Sequence, residues 1–129
     1  MEIYTGCDVI EVDRIKNALK EEGFKEKVFT KKEIEYCESK SELTKYQHYA
    51  VRFCAKEAIF KALTPIIEDK FSISWKNAQI TNNTDGRPMA KLLNIEPNLI
   101  NANLDNIKID VSLSHIKEIA MATAVIYRK

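Results

Sequence analysis

The chain has little of what bends or crosslinks a backbone: three glycines, three prolines and three cysteines among 129 residues. So few breakers exclude a collagen-like or low-complexity architecture. Cys7, Cys37 and Cys54 are odd in number, widely spaced and without a C-x-x-C pair, which argues against a disulfide framework and a structural zinc site. They read as small buried hydrophobes in a reducing compartment, and a thiol nucleophile served by His48 or His115 finds no local support. Net charge is also missing. Twenty basic residues against nineteen acidic ones leave +1, so no global field draws the chain onto nucleic acid or an anionic membrane. No apolar run approaches the length of a bilayer span, and Met1-Glu2-Ile3-Tyr4 lacks a basic region followed by an apolar core. A cytoplasmic protein is expected.

What is present is ordinary in bulk, with 45% hydrophobic and 30% charged residues, and its length suits one domain over residues 1–129. The most informative stretch runs from Arg52 to Leu63. Ala, Lys, Glu and Leu favour a helix there, no Gly or Pro interrupts it, and Pro65 closes it. Glu57 and Lys61 lie one turn apart in the order that favours an ion pair. Phe53 and Phe60 form an aromatic stripe, and Ala55, Ala58 and Ala62 a small-residue stripe on another side.

Around this helix, Ile3, Thr5 and Cys7 alternate with Tyr4 and Gly6, predicting a short first strand that ends near residues 6–9 and presents Asp8 at its end. A helix is expected over 11–22, with Gly23 as its stop. Thr30-Lys31-Lys32-Glu33 has the spacing of a capping box, which starts a helix to about Ser39. After a polar loop the central helix begins near Lys45. Strands are then expected at 71–75 and 78–81, a turn at 82–86, a strand over 89–93, and over 94–106 an irregular excursion with five asparagines and room for one short helical turn. Ile109 to Leu113 and Ile119 to Ile126 make a closing antiparallel hairpin across a turn at 115–118. Helices early and strands late indicate an α+β fold with a mainly antiparallel sheet.

Asp8 and Glu57 are the carboxylates of interest. If they converge they make half of a magnesium site, because Mg²⁺ takes one or two protein carboxylates and fills its other positions with water and phosphate. Taken singly, each reads more readily as a surface acid of no special role than as a ligand.

The residues also carry a resemblance. Gly6-Cys7-Asp8-Val9-Ile10-Glu11-Val12-Asp13-Arg14-Ile15 resembles the N-terminal G-x-D-I-x-E-x-x-R-I motif of the holo-acyl-carrier-protein synthases, the short phosphopantetheinyl transferases. Arg52-Phe53-Cys54-Ala55-Lys56-Glu57-Ala58-x-x-Lys61-Ala62 is similar to that family's R-F-A-A-K-E-A-x-x-K-A signature. Phe29 to Glu33, Asp85-Gly86-Arg87-Pro88 and Val111 to His115 match in the expected order. Two departures stand out. Thr64-Pro65-Ile66-Ile67 follows Leu63 where the family has a glycine-containing loop, and 94–106 has no counterpart.

The resemblance implies a single α+β domain of the phosphopantetheinyl transferase type, its sheet packed with a long central helix. Its reaction moves the phosphopantetheine arm of coenzyme A onto a serine of an apo acyl carrier protein in fatty acid biosynthesis and releases adenosine bisphosphate. Mg²⁺ would be held by Asp8 and Glu57, with Glu57 or an activated water as the base and Lys61 neutralising the departing phosphate. Coenzyme contacts fall on Arg52, Lys56, Lys61, Pro88, Ser112 and His115, the last from a neighbouring subunit, and a structural ion pair for Arg52 stays open. Arg14, Lys20, Phe24 and Lys25 would dock the acidic carrier. A homotrimer with intersubunit sites, and no nucleic-acid or membrane partner, completes the expectation. Two alternatives remain: a non-catalytic binding module of the same fold, favoured by the missing glycine loop, and an RNA-binding domain, disfavoured by the charge balance.

Overall fold

The computed structural model describes residues 1–69, 72–96, 98–100 and 104–128. The chain begins with strand β1 (Glu2–Glu11) and three short helices, α1 (Val12–Ala18), α2 (Phe24–Val28) and α3 (Lys31–Glu38). The long helix α4 (Lys45–Leu63) follows, then the hairpin β2 (Ala78–Asn82) and β3 (Pro88–Leu92), and last the hairpin β4 (Ile107–His115) and β5 (Ile119–Arg128). Strand β5 lies between β1 and β4 in a three-stranded antiparallel sheet, and β2 and β3 form a second, two-stranded one. The α+β class and the mainly antiparallel sheet are as expected. No helix among the described residues is long and apolar enough to cross a membrane.

Helix α4 lies on the inner face of the larger sheet, and small side chains decide how close it comes. Strand β5 turns Ala120, Ala122 and Ala124 inward, all buried, and α4 answers with Ala55, Ala58 and Ala62, also buried. In β1 the inward positions are Tyr4, Gly6, Asp8 and Ile10. Gly6 sits beneath the helix: a Cβ built on it would lie 2.0 Å from the carbonyl oxygen of Ala58 and 3.0 Å from the amide nitrogen of Ala62. Only glycine lets the two backbones approach this far.

Several elements differ from expectation. Strand β1 does not end near Asp8 but continues to Glu11, its full length paired with β5, so Asp8 lies within the strand. The helix expected over 11–22 stops at Ala18. The chain turns through 19–23, with Gly23 in the left-handed region at φ 84°, before α2 begins. The strand expected over 71–75 is not formed: Phe71 lies outside the described residues, and Trp75 opens a 3-10 turn, Trp75–Asn77. Ser74 and Asn77 cap that turn reciprocally, the Ser74 amide donating to Asn77 Oδ1 at 2.7 Å, so local hydrogen bonds outbid the alternating pattern. Within 94–106, part of which also lies outside the described residues, the short helical turn that was expected is the 3-10 turn Leu104–Asn106. Cys37 and Cys54 are buried as expected, whereas Cys7 is exposed on the outer face of the sheet.

The capping box at Thr30 is present, with the Glu33 amide donating to Thr30 Oγ1 and the Thr30 amide to Glu33 Oε1. The closing hairpin and α4 also match their predicted positions closely. Replacing Gly6 by Ala pushes a methyl group into the α4 backbone, and overpacking of that kind costs about 1–3 kcal/mol. Urea unfolding is expected to show a lower midpoint for Gly6→Ala at unchanged slope; an unchanged midpoint would disprove the close contact.

Candidate active site

The contact at Gly6 also sets the site. Side chains two apart on a strand share a face, so Asp8 points to the same side as Gly6, and Glu57 precedes Ala58 on the helix above. Lys61, one turn on, spans the two elements: its Nζ donates to the carbonyl oxygen of Cys7 at 2.9 Å and to Asp8 Oδ1 at 3.3 Å. The ion pair expected between Lys61 and Glu57 is thus replaced by one to Asp8. Glu57 is half-buried. Burial raises its pKa, the charge of Asp8 raises it further, and Lys61 opposes both. The two carboxylates are therefore near enough to repel.

Beneath them is Cys54, fully buried, its thiol 3.4 Å from the carbonyl oxygen of Ala120. Burial first, and then Asp8, push its pKa up to about 12, so it stays a thiol and is no nucleophile. Burial likewise pushes Cys37 up to about 12.

Two carboxylates from different elements suit a divalent ion that keeps most of its ligands as water or phosphate, and their mutual repulsion is what such an ion would relieve. Among the described residues no group of three or more His, Cys, Asp or Glu forms an all-protein cage. Asp8 and Glu57 are the residues that would hold Mg²⁺ here.

Beside the pair opens a cleft of about 230 Å³ lined by Glu57, Phe60, Lys61, Thr64, Ile67 and Ile73. Its floor is the end of α4, where Thr64–Ile66 makes a 3-10 turn with Pro65 in its first positions and Thr64 Oγ1 donates to the carbonyl oxygen of Phe60. This turn stands where the family's glycine loop was expected.

Lys56 and Arg52 do not belong to this site. Lys56 is completely buried, its Nζ 2.8 Å from Glu33 Oε1 and donating to the carbonyl oxygens of Trp75 and Ala78. Burial lowers its pKa and Glu33 raises it. An ammonium so enclosed has no donor left for a coenzyme, so its expected role is corrected to joining α3, α4 and β2. Glu33 Oε2 takes the amide of Ile80 at 2.8 Å, completing the joint. Arg52 is buried too, its guanidinium carbon 4.1 Å from the centre of the Tyr36 ring and its nitrogens donating to Asn82 Oδ1 and the His48 carbonyl. Among the described residues it forms no ion pair, so the structural alternative takes the shape of these hydrogen bonds and the contact with the Tyr36 ring.

His115 is exposed at the end of β4, its Nδ1 2.8 Å from Gln47 Oε1 and its ring against that of His48. Nine residues separate His48 from Glu57, about 13 Å along the helix, so His115 is remote from the Asp8–Glu57 pair of its own chain. Ser112 is exposed on the opposite face of the sheet from Asp8, and Pro88 is the half-exposed first residue of β3. Of the docking candidates, Arg14 and Lys20 are exposed, Phe24 packs against the core, and Lys25 pairs with Glu38 at 3.3 Å. Trp75, which stacks on Phe53 with ring centres 4.8 Å apart, and Ile67 and Ile73 of the cleft were not singled out in the sequence. No local pattern marks the two isoleucines, because the chain reaches the cleft through irregular backbone.

A family profile described as the 4'-phosphopantetheinyl transferase superfamily matches residues 4–124. The chain is 44% identical over 128 residues to the holo-acyl-carrier-protein synthase of Ruminiclostridium cellulolyticum, covering 98% of this chain and 92% of that one. To the holo-acyl-carrier-protein synthase of Fusobacterium nucleatum it is 35% identical over 126 residues, covering 98% and 99%. Its fold superimposes on the crystal structure of a holo-acyl-carrier-protein synthase from Bacillus anthracis in complex with CoA (3',5'-ADP), with TM-score 0.78, 26% identity and coverage of 98% and 96%. The chain belongs to the 4'-phosphopantetheinyl transferase superfamily, and within it to the holo-acyl-carrier-protein synthase family. It is accordingly an enzyme, a phosphopantetheinyl transferase.

The charge of Asp8 raises the pKa of Glu57, so removing that charge must lower it. With no divalent ion added, carbon-detected NMR of Asp8→Asn is expected to show Glu57 titrating at lower pH than in the wild type. An unmoved titration would mean that the two carboxylates are not neighbours.

Proposed function

We propose that the chain transfers the 4'-phosphopantetheine arm of coenzyme A to a serine of an apo acyl carrier protein in the cytoplasm, releasing adenosine 3',5'-bisphosphate, as a step serving fatty acid biosynthesis. The observation that carries this reading is the gathering of Asp8, Glu57 and Lys61 at one end of an open cleft. A serine hydroxyl is a weak nucleophile until a base takes its proton. Glu57, or a water held beside it, takes that proton. The serine oxygen bonds to the phosphorus next to the pantetheine, the bond from that phosphorus to the bridging oxygen breaks, and the bisphosphate leaves with the electron pair. Lys61, fixed by the Cys7 carbonyl, faces the charge that accumulates on the leaving group. Mg²⁺ held by Asp8 and Glu57 would supply neutralisation of the pyrophosphate and alignment of the two groups.

The same reading gives His115 to the coenzyme from a neighbouring subunit, since it is remote from Glu57 in its own chain, and counts Ser112 and Pro88 as further coenzyme contacts. The outer face of the larger sheet supports a homotrimer. Ile3 is 61% exposed, Val9 63%, Met121 45% and Val125 37%, and so many large apolar side chains open on one sheet face are of the kind that marks an interface. Sedimentation equilibrium is expected to give three times the chain mass, and Val9→Lys to reduce it; a wild-type monomer at micromolar concentration would remove the shared site. Arg14 and Lys20, with Phe24 and Lys25 beside them, offer the carrier a cationic face.

Intact-mass analysis of an apo acyl carrier protein incubated with the chain, coenzyme A and Mg²⁺ tests the transfer. A gain equal to the phosphopantetheine arm is expected, lost on chelation, absent with Asp8→Ala or Glu57→Ala and slowed about 10²-fold or more with Lys61→Ala. Coenzyme binding without any gain would instead favour a non-catalytic module, the reading suggested by the 3-10 turn that replaces the glycine loop. In the same assay, Arg14→Glu with Lys20→Glu raises KM for the carrier and leaves KM for coenzyme A unchanged; an equal rise in both would refute the docking face.

A further inference from the structure

Beneath the two carboxylates lies a polar group that the transfer does not use, the thiol of Cys54. Gly6 sits under Ala58 and Ala62, which fixes how α4 lies along β1. Four residues of helix advance about 6 Å and two residues of strand about 7 Å, so Cys54, one turn before Ala58, comes over Asp8, two residues past Gly6. The thiol confirms the direction: Sγ is 3.4 Å from the carbonyl oxygen of Ala120, and Ala120 pairs with Ile10, the next inward position of β1 after Asp8. Cys54 is fully buried and stands three residues before Glu57 on the helix. Where the signature R-F-A-A-K-E-A has a methyl group, this chain has a thiol.

A thiol carries one hydrogen, and two acceptors compete for it. The Ala120 carbonyl belongs to the middle strand of the sheet, paired with Ile10 on one side and His115 on the other, where the ladder supplies donors. Asp8 is poorer in them. Its side chain is only 19% exposed, and the Lys61 ammonium reaches it at 3.3 Å, long for a charge-assisted hydrogen bond. An enclosed carboxylate needs more than that, since its lost hydration has to be replaced. Besides burial, the charge of Asp8, a hydrogen bond to its carboxylate and the charge of Glu57 all hold the sulfur in its S–H form.

We infer that Cys54 is a positioning residue for Asp8: its S–H donates to the Asp8 carboxylate from the interior side and keeps that group turned toward Glu57, where Mg²⁺ would join the two. The thiol acts through Asp8 and takes no part in the reaction. The inference rests on the meeting of Asp8 with Glu57 and not on the transfer itself.

Infrared spectroscopy of the whole chain without added metal tests the hydrogen bond. The S–H stretching band of Cys54, assigned by subtracting the spectrum of Cys54→Ala, is expected to move to higher frequency in Asp8→Asn, whose neutral amide is the weaker acceptor. A band unmoved by that substitution would leave the thiol serving Ala120 alone and overturn the inference. Mg²⁺ titration followed at the Glu57 carboxyl carbon tests the positioning. Cys54→Ala is expected to weaken Mg²⁺ about tenfold, and Cys54→Ser, which keeps a donor, to stay within about twofold of the wild type. An equal loss in both variants would be an effect of packing, and no loss in either would leave Asp8 indifferent to its neighbour; each overturns the inference. A wild type that takes no Mg²⁺ fails the metal reading, and the infrared band alone then decides. A chain that gives both expected results yet leaves the carrier unmodified would sink the transferase reading and leave the role of Cys54 standing.

Discussion

Everything at the site follows from how closely one helix lies on one strand. With Gly6 under Ala58 and Ala62, the backbones of β1 and α4 meet without side chains between them. That spacing lets a strand carboxylate and a helix carboxylate share one small volume, and it lets the Lys61 side chain reach the strand backbone. A larger residue at position 6 would push α4 off β1, and the two acids ride on those two elements. The alanines of β5 serve the same end, since they let the helix settle evenly over the sheet.

A second requirement is that α4 should not shift along the sheet, and this falls to the buried pair of Lys56 and Glu33. Burying two charges is unfavourable unless their remaining hydrogen-bonding groups are met, and here they are. Lys56 is shared with two carbonyls, and Glu33 with the amides of Thr30 and Ile80. The joint fixes helix α3, helix α4 and strand β2 together. A short signature motif therefore carries two kinds of residue: Glu57 and Lys61 face the cleft, while Lys56, directly before Glu57, faces the interior.

The sequence made much of this legible. The capping box, the limits of α4, the turn at 82–86 and the closing hairpin all follow from local chemistry, in which each residue's preference agrees with the final fold. The paired carboxylates were legible through their motifs, because spacing alone says nothing about a contact between residues 8 and 57. The charges on α4 were the hardest to read. Helical spacing places Arg52, Lys56 and Lys61 on known faces, but which face is buried depends on the loop at 75–78 and on α3, which arrive from distant parts of the chain. The strand expected at 71–75 was lost because Ser74 and Asn77 offered the backbone nearer partners.

The Lys61 ammonium is tethered by the carbonyl of Cys7, and the thiol of that residue lies on the other side of the sheet. Such a tether reads the position of the peptide unit and ignores what hangs from it. The tether itself therefore sets no demand on the side chain at position 7, whereas a one-residue slip of β1 against β5 would swing the carbonyl away and release the lysine, so the safeguard lies in strand alignment.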